Sequence, residues 1–281
     1  MRGAFVVLAA VVALVSGMLV QSCEAGGDAR DRGHGRAGQT TAQVEQLRVE
    51  VVQTLSHDPK AYTQGLEMAQ GVLYEGTGMA GRSTIRSGRP GAPATLRSEL
   101  PAPLFGEGIT VVGATVWQLT WRNGIAIEWD ARTLAELRRV PYEGEGWGVC
   151  HQRHRRRLVT SDGSSLLVFR DPRTLRKQGE VAVTLRGQRV GRLNELECVG
   201  NSVYANVWPA DRIVRIDANS GRVTADIAVP PLISPAERRP EDVLNGIAAI
   251  PGTDHFLLTG KSWPKMFRVA FVPAPQADRR R

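Results

Sequence analysis

The feature that most restricts the fold of this chain is an internal repeat. Residues 106–130, GEGITVVGATVWQLTWRNGIAIEWD, align without a gap with residues 193–217, LNELECVGNSVYANVWPADRIVRID. The alignment pairs Trp121 with Trp208 at a constant spacing of 87 residues. Regular self-similarity is typical of folds built from stacked or radially arranged modules. Weaker copies bring the total to five units, which start near residues 64, 107, 147, 194 and 245.

Each unit is predicted to form several short strands. Short alternating strand patterns have turn residues between them, as in the segments VVGATV and TWRNGIA. Five copies of a four-stranded unit predict an all-β fold, a five-bladed β-propeller. The last copy lacks a fourth strand, and residues 47–55, LRVEVVQTL, form the unassigned strand pattern. We therefore expect this N-terminal strand to pair into the last blade and close the ring, which removes exposed sheet edges.

Residues 1–23 have the pattern of a signal peptide for export. A basic residue is followed by a long apolar run and by small residues before Cys23. A transmembrane anchor is the alternative. The segment LVQSC also resembles a bacterial lipoprotein box, although Gln21 is unusual there, so Cys23 is a candidate for a lipid anchor. We expect an exported protein that is periplasmic or secreted, or held at the membrane as a lipoprotein.

The rest of the chain divides into three parts. Residues 24–46 are rich in glycine and polar residues and are predicted to be a flexible linker. Residues 47–272 contain all the repeat units and are predicted to be the β-propeller catalytic domain. Residues 273–281 are predicted to be a disordered basic tail. We expect this protein to be a monomer.

The net charge of +8 raises the question of a nucleic-acid partner. The arginines are scattered, with local runs at residues 153–157 and 279–281, and aromatic residues do not alternate with them. We therefore expect a solvated basic surface and no binding of nucleic acid. Besides Cys23, the chain has Cys150 and Cys198, which are too few for a disulfide scaffold. Their spacing alone leaves open whether they pair.

Polar and aromatic residues recur at two positions of the repeat, which in a β-propeller would face one mouth of the central channel. Each position alone is explained by a wet channel or by tryptophan packing. Together they favour a binding site, because tryptophans at a wet rim are poorly buried unless a ligand stacks on them. The first position carries Gln64, Glu107, Trp147, Asn194 and Asn245, and the second carries Trp121, Trp208, Asp162 and Lys261.

Glu107 is the acid that this pattern places best. A carboxyl group among tryptophans is partly desolvated, which raises its pKa and suits it to proton transfer near neutral pH. Asn194 and Lys261 are candidate donors to an oxygen that gains negative charge. Asp162 and Glu195 are the next carboxylates around the same mouth. The pattern therefore predicts proton transfer on a small bound substrate.

A catalytic metal fits the sequence less well. His151 and His154 are three residues apart in the basic turn CHQRHRRR, where two exposed histidines explain the pattern better than a zinc site does. We expect no metal ligands in the site and no cofactor in catalysis. A calcium ion with a structural role in the central channel is left open.

A series of motifs resembles one known family. In chain order they include HDPKAYTQGL, FGEGIT, QLTW, YEGEGWG, LNELE, YANVW, DVLNGIA and TGKSWPKMF. From about residue 50 to residue 270 they resemble the glutaminyl-peptide cyclotransferases of the plant and bacterial type, the glutamine cyclotransferase family. The resemblance implies a five-bladed β-propeller and an aminoacyltransferase. Such an enzyme converts the N-terminal glutamine of peptides or proteins into pyroglutamate and releases ammonia.

The resemblance also implies roles for individual residues. Glu107 of FGEG matches the catalytic acid and base of the family. Tyr62 stands where many members have phenylalanine. The glycines beside Glu107 are interpreted as allowing the substrate to approach the backbone closely. The residues that match the substrate-binding pocket are Tyr62, Gln64, Phe105, Trp121, Trp147, Asn194, Trp208 and Lys261.

Two other functions compete with this interpretation. One is a non-catalytic, secreted β-propeller that binds peptides or sugars through its aromatic rim. The other is a lactonase-like hydrolase, which would need a carboxylate-rich metal site in the channel. The predicted ring offers Glu107 and Asp162 for such a site, which are too few.

Overall fold

The structure is a computed structural model that describes residues 43–275. Several predictions concern residues outside this range: the signal peptide, the candidate lipid anchor at Cys23, nearly all of the linker and the end of the basic tail. The first strand begins at Glu45, two residues before the predicted start of the folded domain, and the last strand ends at Pro273. Within residues 43–275, no helix has the length and apolar character needed to span a membrane.

The described part of the chain forms 22 β-strands and two short 3-10 helices. The strands of its first half are β1 (Glu45–Ser56), β2 (Thr63–Ala69), β3 (Val72–Thr77), β4 (Thr84–Gly88), β5 (Leu96–Glu99), β6 (Gly106–Val112), β7 (Thr115–Thr120), β8 (Ile125–Asp130), β9 (Glu136–Pro141), β10 (Val149–Gln152) and β11 (Arg157–Thr160). Those of its second half are β12 (Leu166–Arg170), β13 (Lys177–Ala182), β14 (Thr184–Leu185), β15 (Gln188–Arg189), β16 (Leu193–Val199), β17 (Ser202–Val207), β18 (Arg212–Asp217), β19 (Val223–Ala228), β20 (Leu244–Ala249), β21 (Phe256–Gly260) and β22 (Lys265–Pro273). The 3-10 helices are Arg153–Arg155 and Pro235–Glu237.

The internal repeat is visible in the strands. A shift of 87 residues carries the bounds of β6, β7, β8 and β9 onto those of β16, β17, β18 and β19. Gly113 and Gly200 have positive φ angles in the turns after the first strand of each unit. Asp130 accepts hydrogen bonds from the backbone nitrogens of the residues two and three positions after it. Asp217 does the same in its own unit, so the two aspartates cap equivalent turns.

The division into sheets differs from the prediction, and the predicted five-bladed β-propeller is wrong. Hydrogen bonds form three four-stranded sheets, β2–β5, β6–β9 and β10–β13, and a two-stranded hairpin, β14–β15. The other eight strands form one continuous sheet in the order β16-β17-β18-β19-β1-β22-β21-β20. The described residues therefore do not divide into five separate four-stranded blades.

The strand β1 is the physical reason for this difference. It pairs with β22 in antiparallel fashion from Leu47 to Ser56, as expected for a strand that completes the last repeat unit. Its opposite edge pairs in parallel with β19, with Glu45 opposite Ala225 and Arg48 opposite Ala228. Because both edges of β1 are used, it does not close a separate blade but joins two groups of strands into one sheet.

The first strands of the repeat units contact one another around a common centre. Strand β2 contacts β6 and β20, β10 contacts β6 and β16, and β16 contacts β20. Apolar side chains pack between neighbouring sheets in several buried clusters. Cys150 of β10 and Cys198 of β16 form a disulfide, which answers the question that their spacing left open. This arrangement brings together residues at the starts of strands that are distant in sequence.

Candidate active site

Glu107 is the second residue of β6, and its side chain is buried, with 5% of the residue exposed. Its Oε1 accepts a hydrogen bond from Nε2 of Gln64 over 2.9 Å. The Oε1 of Gln64 in turn accepts a bond from Nδ2 of Asn245 over 3.1 Å. Three of the five residues predicted at the first repeat position, from β2, β6 and β20, therefore form one hydrogen-bonded chain.

The glycines on either side of Glu107 serve packing, which corrects their interpretation as openings for the substrate. A Cβ atom on Gly108 would lie 2.5 Å from the carbonyl oxygen of Trp147. A Cβ atom on Gly106 would lie 2.7 Å from both Nε2 of Gln118 and the carbonyl oxygen of Thr77. Neither distance is compatible with a side chain, so both glycines let neighbouring strands approach β6 closely.

The surroundings of Glu107 determine its acidity. Burial raises its pKa well above the ordinary glutamate value, the Lys261 ammonium opposes this rise, and the Glu145 carboxylate adds to it. Burial also lowers the pKa of Lys261, and the charge of Glu107 works against that decrease. A carboxyl group with a raised pKa can bind and release a proton near neutral pH, as acid-base catalysis requires.

The aromatic side chains predicted for the pocket form two packed groups, which together are called the aromatic arc here. Tyr62 packs edge-on against Phe105, with ring centroids 6.4 Å apart, and Phe105 packs at a tilt against Trp121 at 5.7 Å. Trp147 meets Trp208 edge-on at 6.1 Å. All five residues are partly exposed. The ammonium of Lys261 lies 4.9 Å from the centre of the Tyr62 ring.

One residue near the arc was not predicted from the sequence as part of the site. The Oε2 of Glu145 accepts hydrogen bonds from the indole nitrogens of Trp121, at 2.9 Å, and Trp147, at 3.0 Å. Its Oε1 accepts a bond from Nε of Arg122 at 2.7 Å. The signal was present in the motif YEGEGWG, where Glu145 stands two residues before Trp147. Glu145 links the two halves of the arc.

Asn194 is buried at the start of β16, which is the first strand of its repeat unit. Its backbone oxygen accepts a bond from the Ser161 hydroxyl over 2.6 Å. Its side-chain oxygen has no hydrogen-bond partner within residues 43–275. Buried polar atoms are normally paired, so this oxygen is available to accept a hydrogen bond from a donor group of a ligand.

The carboxylates of Asp162 and Glu195 accept hydrogen bonds from parts of the chain that do not include Glu107. Asp162 accepts a bond from the backbone of Ser164 in its own turn. Glu195 is fully buried and accepts a bond from the backbone nitrogen of Leu66 over 2.8 Å. Burial raises its pKa well above the usual range, and the nearby Glu197 carboxylate adds to this rise. Glu195 therefore belongs to a separate acidic cluster in the centre of the fold.

The histidines considered as zinc ligands have separate partners. A ring nitrogen of His151 lies 3.3 Å from the Val111 carbonyl oxygen, and a ring nitrogen of His154 lies 2.8 Å from the Asn201 side chain. Within the described range, no group of three or more histidine, cysteine, aspartate or glutamate residues is arranged to hold a metal ion. That catalysis needs no cofactor stays a prediction, as does the structural calcium ion.

A cavity of about 500 Å³ lies away from this site, and none of the predicted site residues lines it. Its lining includes His57, Glu75 and Arg86. A ring nitrogen of His57 lies 3.0 Å from Glu75, and Arg86 donates to Asp58 over 2.9 Å. Because these charged groups are already paired, we assign the chemistry to Glu107 and its neighbours.

Comparison with known proteins agrees with the motifs. The glutaminyl-peptide cyclotransferase of Arabidopsis thaliana is 35% identical over 233 residues, which cover 80% of this chain and 72% of that protein. The crystal structure of Myxococcus xanthus glutaminyl cyclase matches with a TM-score of 0.77 and 34% identity, over 83% of this chain and 100% of the other. The resemblance inferred from the motifs is thereby confirmed. Since a model of the glutamine cyclotransferase family matches residues 23–271, most of its length, the chain belongs to that family.

Proposed function

We propose that this protein is a glutaminyl-peptide cyclotransferase, which converts the N-terminal glutamine of peptides or proteins into pyroglutamate and releases ammonia. The observation that carries the proposal is the buried Glu107, with its raised pKa and its bond to Gln64. The activities named for the Arabidopsis and Myxococcus relatives support it. No observation favours the non-catalytic binding protein.

The reaction is an intramolecular acyl transfer. The free α-amine of the substrate attacks the carbonyl carbon of its own side-chain amide, so that one C–N bond forms and another breaks. The enzyme has to hold the glutamine residue in the folded conformer that brings these atoms together, and such positioning contributes a large part of the rate. Trp121, Trp147 and Trp208 are the walls on which the forming ring packs.

Glu107 is the proton carrier in this mechanism. As a carboxylate it removes the proton that the α-amine loses when it attacks. As a carboxylic acid it then gives this proton to the departing nitrogen, which leaves as neutral ammonia. One group can do both because its pKa is raised by burial. Gln64 holds Oε1 of Glu107 in both states, since an amide N–H can donate to either form.

Lys261 and Asn194 are the candidates for stabilising the oxyanion. The amide carbonyl oxygen of the substrate gains negative charge when the amine attacks, and donors aimed at this oxygen lower the barrier. Lys261 is buried and carries its charge close to Glu107. Asn194 would donate from its side-chain nitrogen, because its unpaired side-chain oxygen within residues 43–275 can only accept a hydrogen bond.

The remaining expectations belong to the same proposal. The enzyme acts without a cofactor and as a monomer on peptides that begin with glutamine. It is exported to the periplasm or secreted, or is held at the membrane through Cys23. The disulfide between Cys150 and Cys198 supports an oxidising compartment, since such bonds are rare in the cytosol.

A peptide panel tests the proposed activity. The purified protein is incubated with peptides that differ only at the first residue: free glutamine, N-acetylated glutamine or asparagine. We expect loss of ammonia, seen by mass spectrometry, from the free glutamine peptide alone. Acetylation removes the nucleophile, and asparagine would have to form a four-membered ring. A glutamine peptide that cyclises no faster than in a blank without protein would contradict the proposal.

A further inference from the structure

Glu145 makes an unusual set of contacts for a residue at the surface. It lies in the loop between β9 and β10, and a single carboxylate oxygen, Oε2, accepts hydrogen bonds from two indole nitrogens. The donors, Trp121 and Trp147, come from different repeat units. Hydrogen bonds to a charged acceptor are stronger than neutral ones, and two of them on one oxygen fix both indole edges relative to each other.

The aromatic arc has a gap where Glu145 stands. Phe105 packs against Trp121, and Trp147 packs against Trp208. The rings of Trp121 and Trp147 do not pack on one another within the described part of the chain. The carboxylate of Glu145 is the hydrogen-bond acceptor that the two indoles share.

Arg122 completes the contacts of Glu145. It donates to Oε1, and its guanidinium lies 4.2 Å from the centre of the Trp121 ring. The side chain of Arg122 is 64% exposed and that of Glu145 is 34% exposed, and an exposed ion pair of this kind contributes little by itself. The two indole bonds distinguish Glu145 from an ordinary surface ion pair.

We propose that Glu145 is a positioning residue that sets the separation and tilt of the Trp121 and Trp147 rings, and thereby the width of the pocket that binds the N-terminal glutamine. This inference rests on the proposed function. Glu145 acts through the two indoles and does not itself exchange a proton with the substrate. Its contact oxygens are already occupied by three donors.

A role in positioning has a specific kinetic signature. Rings that are free to move bind the substrate more weakly, so KM rises, and kcat falls only to the extent that the folded conformer is held less well. The charge of Glu145 also contributes to the raised pKa of Glu107. Removing that charge should shift the acidic limb of the pH profile of kcat to lower pH.

Three variants test this role. Glu145→Ala removes both indole bonds, and we expect KM for a glutamine peptide to rise roughly 10-fold. Glu145→Gln keeps an oxygen acceptor for the indoles, so it should recover part of this loss. Glu143→Ala is the matched control, because Glu143 is exposed in the same loop and Arg170 donates to its backbone oxygen, which the substitution keeps. It should keep the parental KM and kcat.

Near-ultraviolet circular dichroism, which reports fixed tryptophan environments, gives a readout that does not depend on turnover. We expect its signal to change in Glu145→Ala and to stay parental in Glu143→Ala, with similar melting temperatures. If the parent protein turns over the peptide and Glu145→Ala keeps the parental KM and circular dichroism, this inference alone is overturned. A parent protein without turnover would overturn the proposed function, and this inference with it.

Discussion

Gln64 donates a hydrogen bond from Nε2 to Oε1 of Glu107 over 2.9 Å, although 43 residues separate the two along the chain. The direction of this bond is determined by Asn245, which donates from Nδ2 to Oε1 of Gln64 and to the carbonyl oxygen of Thr63. Because Gln64 must accept from Asn245, its nitrogen faces Glu107. The chain of amides thus presents a fixed donor to the candidate catalytic acid.

Gln64→Ala removes this donor. A hydrogen bond to a carboxylate favours its ionised form, so the pKa of Glu107 should rise further when the bond is lost. We expect the acidic limb of kcat against pH to move to higher pH, and the rate below that limb to fall by roughly 3–10-fold. A pH profile measured with one peptide isolates the effect, since the substrate amine titrates equally for both proteins. An unshifted limb would show that Gln64 does not influence Glu107.

Lys261→Met removes the cation that opposes the rise in the pKa of Glu107. We expect the acidic limb to move to higher pH, opposite to the shift expected for Glu145→Ala. If Lys261 also stabilises the oxyanion, kcat at the plateau should fall by about 10²–10³-fold. Lys265→Met is the matched control, because Lys265 pairs with Glu237 and not with the site. Equal pH profiles for the two variants would contradict the assigned role of Lys261.

Glu195→Gln tests the buried acidic cluster through stability. The pKa of Glu195 is raised in the folded protein by burial and by neighbouring carboxylates, so the folded state keeps a proton that the unfolded state releases. Its contribution to stability is therefore present at acidic pH and is lost as pH rises from the ordinary carboxyl range through the raised pKa. We expect the melting temperature of the variant, relative to that of the parent, to increase as pH rises. Glu99→Gln, at an exposed glutamate, should show no such trend.

The strand β1 provides a matched pair of core and surface positions. Val49 is 3% exposed and packs in a buried cluster with residues of β19 and β22, whereas Val52 is 50% exposed. Val49→Ala should lower the free energy of unfolding by about 1–3 kcal/mol. Val52→Ala should leave it nearly unchanged. Denaturant unfolding of both variants measures the difference, and equal losses would mean that β1 is not packed as described.

Much of the site could be predicted because the repeat can be recognised in short segments of the sequence. The 87-residue spacing located the strands, and residues at equivalent positions of each unit were expected to meet at one end of the central ring. Gln64, Glu107 and Asn245 do meet, and Trp147 and Trp208 pack on one another. Short strands and turns depend on residues close in the chain, so a pattern of alternation is enough to find them.

The features that were missed depend on contacts between distant parts of the chain. Alternating residues in β1 indicate a strand but do not say that both edges are paired, so the eight-stranded sheet was not foreseen. The bond between Glu145 and Trp121 spans 24 residues and depends on the path of a loop. The glycines beside Glu107 suggest substrate access when they are read from the sequence, but the close approach comes from neighbouring strands.

The central claim is that Glu107 carries the proton from the attacking amine to the departing ammonia. Glu107→Gln keeps the shape of the side chain and an acceptor for Gln64 but cannot transfer a proton. The most direct measurement is kcat for ammonia release from a glutamine-initiated peptide by Glu107→Gln and by the parent, with melting temperatures recorded for both. We expect kcat to fall by about 10²-fold or more, with a far smaller change in KM and no loss of melting temperature. A folded Glu107→Gln variant that turns over the peptide at the parental rate would contradict the account.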